Sequence, residues 1–271
     1  MGRCDVACRC GTVSGVEFNS YLALAAELAD AAGAAIRPYF RTALAVDDKA
    51  DLSPVTAADR AAELAMRQMI AARFPAHGII GEEYGRERED AEFVWVLDPI
   101  DGTKSFISGV PLFGTLIALA RHGKPILGII DQPISRERWV GAADRATTHN
   151  GRPIRCRGCP GIAAATVFAT TPDMFKGPDS AAFARVTAQA KLTRYGADCY
   201  AYGLVALGFA DVVIEAELKT YDFSAMLPII EGAGGVATDW QGAPLGLSSD
   251  GRVLIAGDKR THSEALTLLR G

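Results

Sequence analysis

Residues 81–113, GEEYGRERED AEFVWVLDPI DGTKSFISGV PLF, organise the rest of the chain. Glu82 and Glu83 close one short apolar run, His77-Gly78-Ile79-Ile80, and Asp98 and Asp101 close another, Phe93-Val94-Trp95-Val96-Leu97. Short apolar runs rich in Ile, Val and aromatic residues read as buried strands. The acidic residues are thereby delivered to one edge of a sheet. Clustering carboxylates in a partly desolvated cleft costs roughly several kcal/mol each through repulsion and lost hydration. A cation is therefore expected among them, and hard oxygen ligands suit Mg2+ or Mn2+.

The turn Asp98-Pro99-Ile100-Asp101-Gly102-Thr103 sharpens this expectation. Pro99 fixes a backbone torsion and has no N–H, so the chain leaves the strand in a rigid turn that can aim Asp98, Asp101 and the Ile100 carbonyl at one point. Gly102 permits close backbone approach, and a helix can begin between Thr103 and Ser108. Free N–H groups at a helix start, beside divalent cations, make a phosphate site. The simpler alternative is a capped turn with solvated acids; the preceding strand, the turn residues and the Glu pair all argue against it.

Gly81-Glu82-Glu83 followed by Asp98-Pro99-Ile100-Asp101-Gly102-Thr103 resembles the inositol monophosphatase superfamily of Mg2+-dependent, lithium-sensitive phosphatases. A second matching element lies downstream, Tyr221-Asp222 followed by Glu231-Gly232-Ala233-Gly234-Gly235. Order and spacing match from about residue 20 to the C-terminus. The resemblance implies an α/β (α+β) fold, the layered α-β-α-β-α sandwich of the inositol monophosphatase and fructose-1,6-bisphosphatase superfamily. It also implies Glu82, Asp98 and the Ile100 carbonyl on one metal ion and Asp98, Asp101 and Asp222 on a second, with Glu82 on a weaker third. Thr103 and Asp59 would activate the attacking water while the N–H groups of Gly102 and Thr103 grip the phosphate. Glu83 would support the metal site, and Lys49 would lie on a loop that closes over it.

Composition is compatible with this. The chain has 271 residues, 49% of them hydrophobic and 22% charged, with a net charge of −4. That suffices for one large domain or two packed lobes. The mild acidic excess argues against a nucleic-acid surface, and no apolar run approaches the ~20 residues that cross a bilayer. Without a signal-peptide layout, a cytoplasmic protein is expected. Cys4, Cys8 and Cys10 crowd an aperiodic start, and residues 1–17 are expected to be disordered. Cys156 and Cys159 form Cys-x-x-Cys, a spacing that can hold zinc or do redox work. No second pair lies at zinc-site spacing, so free thiols are the favoured reading.

Taken in order, a helix is expected from Asn19 or Ser20, ending or kinking at Pro38, and a second after Thr56, with Leu64, Met66, Met69 and Ile70 as its core stripe. Asp59 falls in that helix's first turn, a position the helix dipole alone would explain. Residues 114–120 and 126–131 read as strands joined by a hairpin turn at Arg121-His122-Gly123-Lys124. Beyond Gly151, the expected boundary between an N-terminal lobe (18–150) and a C-terminal lobe (151–271), helices are expected around 180–190, 201–209 and 263–269, with a strand at 211–215. Asp222 falls at a helix start, where capping alone would explain it.

In the superfamily the segment around Asp198 and the strand ending at Glu215 shape the substrate's organic half. Asp198, Glu215 and Glu217 would face the leaving group, an acidic lining that prefers an amine or other donors. For Glu217 and Lys219 a solvated loop is the competing reading. The strings at 101–109, 111–117, 195–200 and 218–222 are most similar to histidinol-phosphate phosphatases of the superfamily, which implies hydrolysis of L-histidinol phosphate in histidine biosynthesis, by a homodimer. Inositol 1-phosphate, a nucleotide phosphate, and a non-catalytic binder of phosphorylated metabolites are the alternatives.

Overall fold

In this computed structural model the described residues are 14–42, 46–48 and 54–271; Cys4, Cys8, Cys10 and Lys49 lie outside them. Helix α1 (Gly15–Ile36) starts earlier than the sequence pattern suggested, so residues 15–17, expected to be disordered, form its first turn. The cause is local: Ser14 Oγ accepts the Glu17 N–H at 3.2 Å, and Glu17 in turn accepts the Tyr21 hydroxyl at 2.6 Å. These bonds supply the N-cap that Asn19 or Ser20 was expected to provide. Pro38 sits in a short 3-10 turn directly after the helix, as anticipated.

An antiparallel ribbon, β1 (Val46–Asp48) and β2 (Pro54–Thr56), leads into α2 (Ala57–Arg73). Its buried stripe runs Ala58, Ala62, Met66 and Ile70, all fully buried, whereas Leu64, expected in the core, is 45% exposed. A four-residue step keeps this face against α1, and Leu64 falls on the opposite side.

The first large sheet is built from β3 (Gly78–Gly81), β4 (Gly85–Glu87), β5 (Phe93–Asp101), β6 (Gly114–Arg121), β7 (Lys124–Gln132), β8 (Glu137–Ala142), β9 (Thr148–His149) and β10 (Arg152–Pro153). Their order is β10-β9-β8-β7-β6-β5-β3-β4. Strands β3 and β5 run parallel, with Gly81 opposite Leu97, so the residues that follow each of them emerge at the same edge. Between the pairs Asp98–Leu116 and Asp101–Gly114 the register shifts, because β5 carries one more residue than β6. That bulge turns the Asp98-to-Asp101 segment away from a regular ladder. His122 and Gly123 both have positive φ, 49° and 77°, the geometry of a tight β6–β7 hairpin.

Helix α3 (Thr103–Ile107) follows the bulge. The second sheet contains β11 (Thr166–Ala169), β12 (Leu192–Tyr195), β13 (Val212–Glu215), β14 (Val236–Thr238) and β15 (Val253–Ala256), in the order β12-β11-β13-β15-β14. The remaining helices are α4 (Pro178–Thr187), α5 (Tyr200–Ala206), α6 (Thr220–Phe223), α7 (Met226–Gly232) and α8 (Lys259–Arg270). The last begins before Ser263 because Asp258 caps it, Oδ1 accepting the Arg260 N–H at 2.8 Å.

Three apolar clusters bind these elements into the expected α-β-α-β-α layers. One joins α1 and α2 to the first sheet, through Leu24, Leu28, Trp95 and Ile117. A central one places α5 and α7 between the sheets, through Val96, Trp139, Tyr202, Ile229 and Ile255. The third packs α4 and α8 on the outer face of the second sheet, through Phe183, Val212 and Leu269. No described helix is long and apolar enough to cross a membrane.

Helix α7 lies against β7 and β8 with no side chain between them at two points. A Cβ at Gly128 would overlap the Ala225 carbonyl, and one at Gly141 would overlap backbone atoms of Pro228 and Ile229. Overpacking such a contact typically costs about 1–3 kcal/mol. Gly141→Ala is accordingly expected to lower the urea midpoint by an amount in that range, while Gly151→Ala, whose added Cβ meets open space, loses stability only through its positive φ.

Candidate active site

The site opens where β3 and β5 end, and it is closed from the other side by the loop before α5, the end of β13 and the start of α6. Glu82, Asp98, Ile100, Asp101, Gly102, Thr103, Asp198, Glu215 and Asp222 line one cavity. Carboxylate oxygens of Asp98, Asp101 and Asp222 approach within 4.8 Å of one another, as do those of Asp59, Glu82 and Glu83. Sequence positions more than a hundred residues apart thus meet at one point.

The turn that aims these groups is anchored on both sides. Ile100 buries its side chain completely in the core beneath α1 and α2. The Thr115 hydroxyl donates to the Pro99 carbonyl at 2.8 Å and the Thr103 hydroxyl to the Ile100 carbonyl at 3.1 Å. Gly102 takes φ 86°, and a Cβ there would stand 2.8 Å from the Asp198 carboxylate, so glycine is required both by conformation and by space.

Backbone donors hold the outer oxygens of the acids. Asp101 Oδ2 accepts the Cys199 N–H at 2.6 Å, and Asp222 Oδ2 accepts the Lys219 N–H at 2.6 Å. Asp98 Oδ1 is buried with no hydrogen-bond partner. Burial pushes the Asp98 carboxyl well above the usual carboxylate range, and the charges of Glu82, Asp101, Asp222 and Asp59 push it further. Asp101 is raised by burial and by Asp198 and Asp222, against the Cys199 bond that lowers it. Asp222 is raised to about 7, chiefly by burial. A buried carboxylate oxygen without a partner, in an all-oxygen set whose members resist ionising together, fits a divalent cation of the hard kind.

The carboxylates of Asp198 and Glu215 on the other side of the cavity are held mainly by hydroxyl groups. Asp198 Oδ2 accepts the Ser105 hydroxyl at 2.6 Å. Glu215, fully within the structure, accepts the Thr170 N–H at 2.9 Å, the Thr170 hydroxyl and the Tyr202 hydroxyl. Burial raises both carboxyls, and these hydrogen bonds oppose the rise. Glu217 is not brought into this cavity. After Ala216 the chain takes a left-handed turn at Glu217, φ 61°, which sends the exposed side chain to Lys176 Nζ at 2.8 Å. The solvated-loop alternative describes its position. Glu83 lies beside the cavity residues, ion-paired with Arg60 at 3.7 Å.

Sequence reasoning missed Ser105, Thr170, Tyr202 and the Cys199 N–H. Thr170 and Tyr202 belong to the second half, where no acidic pattern marks them. A backbone donor leaves no trace in residue type at all.

A profile of the inositol monophosphatase family matches residues 18–270. The chain is 49% identical over 266 residues to the chloroplastic bifunctional phosphatase IMPL2 of Arabidopsis thaliana, covering 95% of this chain and 77% of that protein. It is 38% identical to the histidinol-phosphatase of Chlorobaculum parvum, covering 86% and 90%. The structure of an inositol monophosphatase from Zymomonas mobilis superposes with a TM-score of 0.88 at 47% identity, over 96% of this chain and all of that one. The chain belongs to the inositol monophosphatase family, and it is a metal-dependent phosphatase.

The raised carboxyls make a prediction about the protein stripped of divalent ions by chelation. A carboxyl whose folded-state pKa exceeds its unfolded value stabilises the fold below the unfolded value and loses that contribution as pH rises through the folded one. With Asp222 at about 7 and Asp98 and Asp101 also raised, the chelated protein should lose thermal stability between pH 5 and pH 8. Restoring a divalent ion should raise the melting temperature more at pH 8 than at pH 5.

Proposed function

We propose that the protein is a Mg2+-dependent phosphomonoesterase that hydrolyses L-histidinol phosphate to L-histidinol and phosphate. The observation that carries the substrate assignment is the placement of Asp198 and Glu215. Two carboxylates, half-buried Asp198 beside Gly102 and buried Glu215 at the end of β13, line the same cavity as the metal-type acids. A leaving group carrying an ammonium and an imidazole would favour the charged forms of these carboxyls, which burial raises, whereas a neutral polyol would bring them no positive charge. The names of several relatives, histidinol-phosphatases at 38%, 34% and 32% identity, support the same substrate.

In this reading Glu82, Asp98 and the Ile100 carbonyl would hold one Mg2+ and Asp98, Asp101 and Asp222 another, with Glu82 available to a third. When bound, the ions supply positive charge to the phosphoryl group and the leaving oxygen. The chain's own residues do the rest. The N–H groups of Gly102 and Thr103, at the start of α3, hold phosphate oxygens. Thr103 orients the attacking water, and Asp59, buried in the first turn of α2, takes its proton. The water oxygen forms the new bond to phosphorus as the P–O ester bond breaks, and the departing alkoxide oxygen takes a proton from solvent water. The acids come from residues 18–150 and from 151–271, so we place the two lobes there and expect the site to form only when they pack together. A homodimer is carried over from the resemblance.

Inositol 1-phosphate is the second reading, favoured by the 47% identity to a structure described as an inositol monophosphatase. Phosphate release from a panel of histidinol phosphate, inositol 1-phosphate and a nucleotide 3′-phosphate, with Mg2+ and with Mg2+ plus Li+, separates them. Histidinol phosphate should show the highest kcat/KM, and a preference for inositol 1-phosphate overturns the assignment. Asp98→Asn removes charge stabilisation worth several kcal/mol, so its kcat should fall at least about a hundredfold. Equal phosphate release by Asp98→Asn and wild type would show that the activity belongs to a contaminant.

A further inference from the structure

We propose that Glu63, braced by Arg67, is the positioning residue that presets the Glu82-Glu83 turn for metal binding, and that residue 81 is glycine in order to admit it. The inference rests on the reading of Glu82 as a metal ligand. Glu63 lies one helical turn beyond Asp59 on α2 and is fully buried. Its Oε2 accepts the Glu83 N–H at 2.7 Å and its Oε1 accepts the Tyr84 N–H at 3.1 Å. The Glu82 N–H is already held by the Leu97 carbonyl at 3.2 Å. Three successive N–H groups of the turn are therefore fixed, one by β5 and two by a single carboxylate, which determines where the Glu82 side chain leaves the backbone.

Arg67 completes the clamp. Its Nε donates to Glu63 Oε1 at 2.7 Å, its Nη2 donates to the Gly85 carbonyl, and its guanidinium lies 6.0 Å over the Tyr84 ring. Gly81 and Gly85 face each other across the turn, and a Cβ at Gly81 would collide with Glu63 Oε1 and Arg67 Nη2. A carboxylate is needed because three donors converge on its two oxygens; the amide of Gln would turn an NH2 toward one of them. Helix α2 thus carries Asp59 into the site and, four residues on, locks the neighbouring metal-ligand turn to itself.

The test measures metal binding directly, by the electron paramagnetic resonance signal of free Mn2+, alongside the Mg2+ concentration that half-saturates activity. Residues that orient ligands typically contribute ten- to a hundredfold in metal affinity, so Glu63→Gln should weaken Mn2+ binding by about tenfold or more. Ile70→Val, in the core of the same helix, serves as a control for lost stability and should bind Mn2+ as wild type does. Gly81→Ala should reproduce the loss by displacing the carboxylate. Wild-type Mn2+ affinity in folded Glu63→Gln overturns the inference. If that variant does not fold, Arg67→Met decides in the same way. Wild-type protein that binds no Mn2+ would instead sink the metal-site reading itself.

Discussion

Desolvation and mutual repulsion of crowded carboxylates are the constraint on which this molecule is built. Asp98, buried, and Asp101 and Asp222, partly exposed, are crowded within 4.8 Å, and desolvation raises all three. Such a cluster survives only because the rest of the fold holds it. The parallel pairing of β3 with β5 brings two acidic turns to one edge. The bulge in β5 and the buried Ile100 side chain set the direction of the second turn. Asp101 and Asp222 each have one oxygen pinned by a backbone N–H, leaving the other to face the common centre.

Assembly of that centre is coupled to packing between the sheets. Asp222 arrives on α6, directly ahead of α7, and α7 touches β7 and β8 backbone to backbone at Gly128 and Gly141. The Cys199 N–H that restrains Asp101 arrives on the loop before α5, whose Gly203 lies against the Trp139 ring. Both elements belong to the central apolar cluster. Apolar burial, worth roughly 25 cal/mol per Å², therefore offsets the electrostatic strain of the site. A loosened central layer would separate the acids before it exposed the outer helices.

What the sequence revealed follows from which signals survive without coordinates. Paired apolar runs ending in acids, the Pro99 turn and Gly102 are local patterns, and the structure brings the residues they mark together. The layered fold and Asp222 were legible through the resemblance, since no short-range pattern links residue 222 to residue 98. Glu63 was not legible: Glu63 and Arg67, four residues apart, have the spacing of an ordinary surface ion pair, and only the missing Cβ of Gly81 reveals a buried clamp. Glu217 failed for a related reason. Two residues beyond Glu215 would share its face in a strand, but the strand ends at Glu215 and a positive φ turns the side chain away.

The two ends of the cavity are made of different materials, and this bears on how one scaffold serves several phosphoesters. At the end proposed for the phosphate, recognition would rely on backbone N–H groups, a carbonyl and carboxylates fixed by strand ends, so altering one part would disturb the rest. At the other side Asp198 leans on the Ser105 hydroxyl, and Glu215 on the Thr170 and Tyr202 hydroxyls and the Thr170 N–H. Substitutions there can change the leaving group without moving the phosphoryl site. Asp198 is the exception, because its carboxylate occupies the space that glycine leaves at position 102. A change at Asp198 is therefore felt by the Gly102 turn, and under the proposed function this would tie substrate choice to catalysis at one residue.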